Sequence, residues 1–489
     1  MIGLPEENSR QIKNAIIYLL PIVISTLVPI LTLPIFTRVL SKEDYGLFSL
    51  AQVYAVFMAG IANFGLTIGY ERNYFQYKDK AISLLYTTLL FVIFAFLILA
   101  ALTFLFRFFF SEFIIGSQDH ADLLFWSFCS TGMMSLKRYY LIYYKNSENA
   151  KSYVWYTIDE TILGVIISIY FVIYLRIGII GLVWGQLIAS AIVFTALTIV
   201  FIKKYPVSFN IPAFKDSLRL SLPLTPRIFF GIIGSQFDKY MIGLISTVGG
   251  VGIYSIGQRI ANGIFVYITA IHNVYSPQVY KRMFEMGEHG GESVGKYLTP
   301  FLYSAVAVGL TISLFSEEIV FLLTPKPFHG ATDIIIILSM FYTSLFMGTL
   351  PQLTFVKKTY LSSVLSIVGI TLNIAINIPF IIKWGATGAA WGTFLAGLIS
   401  GFVTFFVSQH YYEIKWEYGK IAYIFLIFFG SSIAVILMRN VETAYGIKLA
   451  FKMISFSAFF YLGMRLDILN RKTVSLFKKM IFPAKAGGD

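Results

Sequence analysis

Cysteine, charge and histidine are all scarce in this sequence. Cys129 is the only cysteine among 489 residues, so an internal disulfide is excluded. Charged residues make up 13% of the chain and the five histidines are scattered, which gives no pattern typical of a metal site. A glycine-rich phosphate loop is also missing, so ATP-driven transport by this chain alone is excluded and no cofactor is expected.

The sequence has instead many long apolar runs. Hydrophobic residues make up 57% of the chain. The runs extend over about 20 residues or more, which is long enough to cross a ~30 Å hydrocarbon core as helices. We therefore predict an all-α integral membrane protein with 14 transmembrane helices. Their approximate limits are 12–38, 46–70, 83–109, 121–145, 150–175, 178–202, 216–244, 250–275, 297–323, 333–356, 360–382, 386–409, 420–438 and 446–465.

The net charge of +13 is spread over alternate loops and does not form one patch, so nucleic acid is not an expected partner. If the N-terminus is cytoplasmic, one set of loops and both tails hold about 26 of the 38 Lys and Arg residues, including Lys137. The opposite loops hold about 8, including Lys448. Because Lys and Arg concentrate in cytoplasmic loops, this split predicts a multi-pass protein with both termini in the cytoplasm.

An internal duplication divides the chain. The pattern Gly-x-x-Ser-x-x-Gln at Gly46 recurs at Gly252, a shift of 206 residues, and Gly-x-x-Gly-x-x-Trp-Gly at Gly178 recurs at Gly385, a shift of 207. Two anchors with nearly the same shift predict two six-helix lobes in a parallel repeat, related by an axis along the membrane normal. The predicted domains are an N-lobe (1–203, spans 1–6), a cytoplasmic linker (204–215), a C-lobe (216–410, spans 7–12) and appended spans 13–14 with a basic tail (411–489).

Charged residues inside the apolar runs are the candidate site. Arg227 and Asp238 are eleven residues apart, about three helical turns, so they share one face of span 7 with Gly231 and Gly234. A charge inside a membrane helix costs roughly 2.5–3.5 kcal/mol on insertion scales, and it normally faces a partner or a water-filled cavity. We interpret this face as the lining of a cavity. An ion pair with another helix is the alternative.

Arg72, Arg227 and Arg259 are predicted to form a cationic cavity for an anionic headgroup, because the planar guanidinium binds two phosphate oxygens at once. Arg72 could instead anchor the inner end of its span, and Arg259 could extend to the membrane surface. The candidates for ion coupling, or for the counter-charge of an arginine, are Asp159, Glu160 and Asp238.

Two further polar pairs are predicted to be structural. Glu317 and Glu318 lie at the outer end of span 9 and are interpreted as an interface feature. Asn373 and Asn377 share one face of span 11, where interhelical hydrogen bonds are expected.

Four stretches are similar to one known family: LPIFTRVLSKEDYGLFSLAQVY, FGLTIGYERNY, FDKYMIGLISTVGGVGIYSIGQRIAN and EEIVFLLTPKPFHGATDIIIIL. They resemble the polysaccharide flippases, the Wzx-type branch of the multidrug/oligosaccharidyl-lipid/polysaccharide exporter superfamily. Arg72 matches the basic residue that the family carries after span 2. The resemblance implies two six-helix lobes around a central cavity. The appended pair of spans resembles that of the lipid II flippases, where it offers a groove for the lipid tail.

The resemblance also implies a function. The expected activity is export of an undecaprenyl-diphosphate-linked oligosaccharide across the bacterial inner membrane by alternating access, for O-antigen, capsule or exopolysaccharide assembly. The implied partners are this substrate, membrane lipids, a polysaccharide polymerase and a chain-length regulator. The alternative is an ion-coupled drug or metabolite antiporter of the same fold, although such a protein would need a dominant acidic cavity. A membrane enzyme is disfavoured because no outer loop is large enough to be a catalytic domain.

Overall fold

The computed structural model describes residues 20–348 and 351–469, apart from the side chains of Arg227 and Glu288. Within these ranges the regular secondary structure is entirely helical, and ten helices are long and apolar enough to cross a membrane. The prediction of an all-α membrane protein is therefore confirmed. The predicted count of 14 spans stays a prediction, and span 1 begins outside the described residues.

The first half of the chain contains both long apolar helices and short helices of 9 to 11 residues. They are α1 (Leu20–Phe36), α2 (Lys42–Asn63), α3 (Leu66–Gln76), α4 (Ala81–Leu105), α5 (Arg107–Ile115), α6 (Ala121–Asn146), α7 (Ala150–Ile169, continued by a π-turn over Tyr170–Tyr174), α8 (Ile179–Lys204) and α9 (Ile211–Ser221).

The second half contains the two longest helices of the described chain. Its helices are α10 (Thr225–Ile245), α11 (Val248–Met286), α12 (Gly290–Leu314), α13 (Ser316–Leu323), α14 (Ala331–Ser344), α15 (Gln352–Phe355), α16 (Thr359–Tyr411), α17 (Tyr418–Asn440) and α18 (Tyr445–Arg465).

The helices differ from the predicted spans at two places, and unusual backbone angles occur at both. The 53 residues of α16 cover both predicted spans 11 and 12, and Gly385 interrupts them with φ 57° and ψ −133°. Predicted span 2 is instead divided into α2 and α3, because Phe64 (φ 46°) and Gly65 (φ 68°) are both left-handed. Glycine takes such a φ without steric cost, whereas phenylalanine does not, so the Phe64–Gly65 junction is a strained kink.

The start of α2 is fixed by a capping box. The hydroxyl of Ser41 accepts a hydrogen bond from the amide of Asp44 at 3.0 Å, and the carboxylate of Asp44 accepts one from the amide of Ser41 at 2.9 Å. Two backbone donors that the helix cannot pair internally are satisfied in this way. The four residues from Ser41 to Asp44 therefore specify where α2 begins.

The described chain packs into two compact units. The first contains the described residues up to Ile256 together with Leu322–His329 and Asn377–Ala389. The second contains Gly257–Phe321, Gly330–Ile376 and the described residues from Ala390 onward. The predicted limits of the lobes, the linker and the appended region stay a prediction.

Inside the first unit, the two glycines that the predicted duplication makes equivalent lie against each other. A Cβ on Gly46 would overlap the carbonyl of Val248, and a Cβ on Gly252 would overlap the carbonyl of Lys42 and lie 3.0 Å from the amide nitrogen of Gly46. Close backbone approach of this kind needs small residues at both helices. Two copies related by a two-fold axis would produce reciprocal contact of this kind, and the parallel repeat itself stays a prediction.

Candidate functional site

Asp238 is buried where three helices of the first unit meet. It lies on α10 and is only 5% exposed. The hydroxyl of Tyr254 on α11 donates a hydrogen bond to its Oδ2 at 2.8 Å, and Nδ2 of Asn377 on α16 donates one to its Oδ1 at 3.1 Å. The expected interhelical hydrogen bond of Asn377 is thus present. Both oxygens of one membrane carboxylate are held in place by neutral donors.

Asp238 is an ionisable residue inside a candidate membrane span, Ile228–Ile245. Ionisable residues inside membrane segments are rare, and they mark ion pathways and proton relays. Among the residues that the structure describes, no three His, Cys, Asp or Glu side chains come together as metal ligands. A phenol and an amide are thus among the groups that surround the Asp238 carboxylate.

The α10 face preceding Asp238 is open. Gly231 and Gly234, which were expected to share a face with Arg227 and Asp238, are both exposed. No atom lies within 4 Å of a Cβ placed on Gly231. The cavity predicted along this face stays a prediction, because the side chain of Arg227 lies outside the described part of the chain.

Glu160 forms a second buried centre in the first unit. Its carboxylate forms an ion pair with the ammonium of Lys137, and these side chains are only 11% and 4% exposed. The hydroxyl of Ser190 donates a hydrogen bond to its Oε1 at 2.6 Å. These three residues lie on α7, α6 and α8, so this centre also joins three helices. Glu160 is thus a counter-charge, but for a lysine and not for an arginine.

The assignment of Lys137 to an inner loop was wrong. Lys137 lies inside α6, and its side chain is buried. The count of basic residues along the chain records position but not the direction in which a side chain points. Asp159, the neighbour of Glu160, is half-buried and makes no ion pair with the residues that the structure describes.

The three predicted arginines have different surroundings. Arg72 is exposed on α3 and donates hydrogen bonds to two residues of its own helix, Asn73 at 2.6 Å and Gln76. Arg259 is half-buried on α11 and has no ion pair with the described residues. Arg227 is the third residue of α10. Their role as one cationic cavity stays a prediction.

A third charged cluster, in the second unit, contains Glu317 and Glu318. Lys452 of α18 has no exposed surface, and its ammonium lies 2.7 Å from Oε1 of Glu318 and 3.4 Å from Oε2 of Glu317. Lys448 was placed in an outer loop, which was wrong: it lies on α18, 2.7 Å from Glu317. Glu317 and Glu318 therefore face the appended helix α18. The full cluster is Glu317, Glu318, Asp333, Arg439, Lys448 and Lys452.

Residues 12–281 match the model of a protein family described as polysaccharide biosynthesis protein. That match covers more than half of the 489 residues. The chain belongs to this family. Family membership confirms the resemblance to the polysaccharide flippases that the sequence motifs indicated.

A curated relative comes from Haloferax volcanii, where it is named "Probable low-salt glycan biosynthesis flippase Agl15". It is 23% identical over 228 residues, which are 45% of this chain and 48% of the relative. The chain thus matches about half the length of that relative.

Solved structures show the same fold. The lipid II flippase MurJ, in an inward closed conformation, superposes with a TM-score of 0.68 at 16% identity, over 94% of this chain and 100% of MurJ. A mutant of the Vibrio cholerae MATE transporter VcmN gives 0.54 at 14% identity, over 83% and 98%. A MOP superfamily transporter from Pyrococcus furiosus gives 0.54 at 15% identity, over 82% and 94%. The chain is therefore a multi-pass membrane protein with a transporter fold.

Proposed function

We propose that this protein is a flippase that moves an undecaprenyl-diphosphate-linked oligosaccharide across the bacterial inner membrane by alternating access. The product would feed assembly of O-antigen, capsule or exopolysaccharide. The match of residues 12–281 to the polysaccharide biosynthesis family carries this proposal. The transporter fold and the name of the Haloferax relative support it. The expected partners are the polymerase and the chain-length regulator of the same assembly system, and both termini are proposed to be cytoplasmic.

The physical task explains why such a chain keeps charged groups among its apolar helices. Each sugar hydroxyl that enters hydrocarbon without a hydrogen bond costs several kcal/mol, so the headgroup needs a wet and polar route. The diphosphate needs cations along that route, and a guanidinium binds two of its oxygens at once. Arg259 is half-buried and has no ion pair with the described residues, so its guanidinium is available for this purpose. Arg72 and Arg227 complete the proposed cationic set.

Among the three candidate coupling groups, Asp238 is the best suited. Protonating Glu160 would leave the buried ammonium of Lys137 without its counter-charge, which costs about 3–5 kcal/mol. Two of the contacts of Asp238, the hydrogen bonds from Tyr254 and Asn377, come from neutral groups and can persist when its charge changes. We assign ion or proton coupling to Asp238 and a structural role to Glu160.

Reconstitution tests the proposal directly. The purified protein is placed in proteoliposomes that contain an undecaprenyl-diphosphate-linked oligosaccharide in both leaflets, and a membrane-impermeant glycosidase is added outside. A flippase lets the enzyme cleave nearly all of the substrate, whereas protein-free vesicles protect the inner-leaflet half. Protection of that half in the presence of folded protein would overturn the proposal. Efflux of a cationic dye in the same vesicles, with the oligosaccharide still protected, would establish the antiporter instead.

A further inference from the structure

The connection between α8 and α10 is a helix that does not span the membrane. Both α8 and the apolar part of α10, Ile228–Ile245, are candidate spans, and α9 lies between them. The six residues that join α8 to α9 can extend about 20 Å at most. Since α9 is tied at both ends to the ends of membrane spans, it lies close to the membrane surface.

One face of α9 is docked on α3 within the first unit. The amide of Asn73 donates a hydrogen bond to the hydroxyl of Ser217 at 2.8 Å. A Cβ on Gly69 would overlap Ser221 and the carbonyl of Ser217, so the two helix backbones are in close contact here. Ser217 and Ser221 have no exposed surface. The orientation of α9 is therefore fixed, and its opposite face is fixed with it.

The opposite face of α9 mixes basic and apolar side chains. Ile211, Lys215 and Arg219 follow each other at intervals of four residues, which places them on one side of the helix, and Leu222 continues this row. All four are exposed, with Ile211 at 59% and Leu222 at 48%.

Asp216, which is the only acidic residue of α9, accepts a hydrogen bond from Tyr77, and this bond raises the pKa of the Tyr77 phenol. The acidic group thus points toward Tyr77, at the end of α3, and away from the outer row. The outer row carries two positive charges and no negative one.

The residues that precede α9 also combine exposed basic and exposed apolar side chains. Lys203, Lys204, Val207 and Phe209 are all exposed. We define the linker surface as these four residues together with Ile211, Lys215, Arg219 and Leu222. Four bulky apolar groups beside four cations are unusual on a surface that faces only water. Apolar groups that insert at the boundary of headgroups and acyl chains, with Lys and Arg beside them, are typical of interfacial helices.

We propose that the linker surface binds the anionic headgroups of the membrane leaflet beside it. In this arrangement Phe209, Ile211 and Leu222 enter the boundary of the acyl chains, and Lys215 and Arg219 contact lipid phosphates. A basic residue near an anionic membrane surface changes partitioning about fivefold, so this pair accounts for roughly 25-fold. The lipid therefore holds α9, and with it the start of α10, at a fixed depth. The proposal does not depend on which substrate is transported.

Spin labelling of the whole protein tests this inference. In a Cys129→Ser background, Ile211→Cys is labelled, and the protein is placed in nanodiscs of phosphatidylcholine with or without phosphatidylglycerol. No undecaprenyl lipid is present, so any response comes from the bulk lipid and not from a substrate diphosphate. The measurement is the collision rate of the label with oxygen relative to that with a water-soluble nickel complex. We expect this ratio to rise severalfold when phosphatidylglycerol is added.

Matched variants show whether Lys215 and Arg219 cause the response to phosphatidylglycerol. Lys215→Gln combined with Arg219→Gln should abolish the response to phosphatidylglycerol. Lys151→Gln combined with Lys281→Gln removes the same charge from exposed positions elsewhere and should leave the response intact. A label that stays accessible to nickel in both lipids would overturn the proposal and leave a soluble protein partner as the occupant. An equal loss in both double variants would also overturn it, because the effect would then be one of net charge alone.

Discussion

Asp238 loses its charge but keeps its shape when it is replaced by asparagine. The amide oxygen can keep the hydrogen bond from Asn377, and the hydroxyl of Tyr254 can accept one from the new NH2 group, so the helix contact persists. We expect Asp238→Asn to lower the response of transport to an imposed proton or sodium gradient roughly tenfold or more, as for a typical coupling free energy. The measurement is transport in proteoliposomes with and without each gradient.

The matched control is Glu285→Gln, which removes an exposed carboxylate from a surface pair with Lys281. It should leave the gradient response unchanged. A folded Asp238→Asn protein that responds to the gradient as the wild type does would show that Asp238 is not the coupling group.

Arg259 is the proposed phosphate-binding arginine that is half-buried and has no ion pair with the described residues. Arg259→Ala should lower surface polysaccharide severalfold while the protein still reaches the membrane, because the cation that meets the diphosphate is lost. Arg259→Lys should retain only part of the activity, since lysine keeps the charge but not the planar fork. Quantitative lectin binding to cells that lack their own flippase measures the effect.

Lys281→Ala serves as the control for Arg259, because Lys281 is exposed and has only a surface ion pair. Normal polysaccharide in cells with Arg259→Ala would remove this residue from the site. An equal loss in the lysine and alanine variants would show that the guanidinium geometry matters more than the charge.

At the scale of helices, the sequence predicts well what depends on one helix alone. The apolar runs predict long membrane helices, which the structure contains. The polar face of predicted span 11 predicts that Asn377 forms a hydrogen bond with another helix, which it does. The partner of a buried charge depends on a second and third helix, so the pairing of Lys137 with Glu160 and of Lys448 with Glu317 could not be predicted. Both lysines were counted among the loop residues from which the orientation of the chain was predicted.

The Lys137–Glu160 pair is expected to stabilise the packing of α6 against α7. Lys137→Met would leave the carboxylate of Glu160 buried without a counter-charge, which costs about 3–5 kcal/mol. Adding Glu160→Gln should recover most of this loss, because the amide can still accept the hydrogen bond from Ser190. Thermal unfolding in detergent of the two single variants and the double variant gives the coupling energy as a double-mutant cycle. A double variant that is no more stable than Lys137→Met would mean that the two side chains do not stabilise each other.

The cluster around Lys452 also joins helices through partly buried ion pairs, and it connects more of them. Its charges come from α13, α14, α17 and α18, three acidic and three basic, so the cluster is neutral as a whole. The hydroxyls of Ser313 and Ser432 add a hydrogen bond of 2.7 Å between α12 and α17. The appended helices are therefore integrated into the second unit by polar contacts as well as by apolar packing.

For the whole molecule, the contact between Gly46 and Gly252 connects the predicted duplication to the proposed mechanism. Alternating access requires the two copies to meet and separate in turn, and backbones that meet at glycine can do so without moving bulky side chains. Gly252→Ala places a methyl group where the carbonyl of Lys42 now lies, so α2 and α11 must move apart. We expect a smaller population of the packed state and transport reduced roughly tenfold, the effect of ~1.4 kcal/mol on a two-state equilibrium.

Gly263→Ala is the matched control on the same helix, because a Cβ at Gly263 meets no atom within 4 Å. Disulfide trapping measures the population: in a Cys129→Ser background, Glu43→Cys and Gly249→Cys place two thiols at a site where a Cβ on Gly249 would lie 2.8 Å from the Glu43 carboxylate. Gly252→Ala should lower the yield of this disulfide, and Gly263→Ala should not. Because the same contact is expected to open once in each transport cycle, the trapped disulfide should also stop flipping until it is reduced. Flipping that continues in the fully oxidised protein would mean that α2 and α11 stay together throughout the cycle, and the separation of the copies would then have to occur elsewhere.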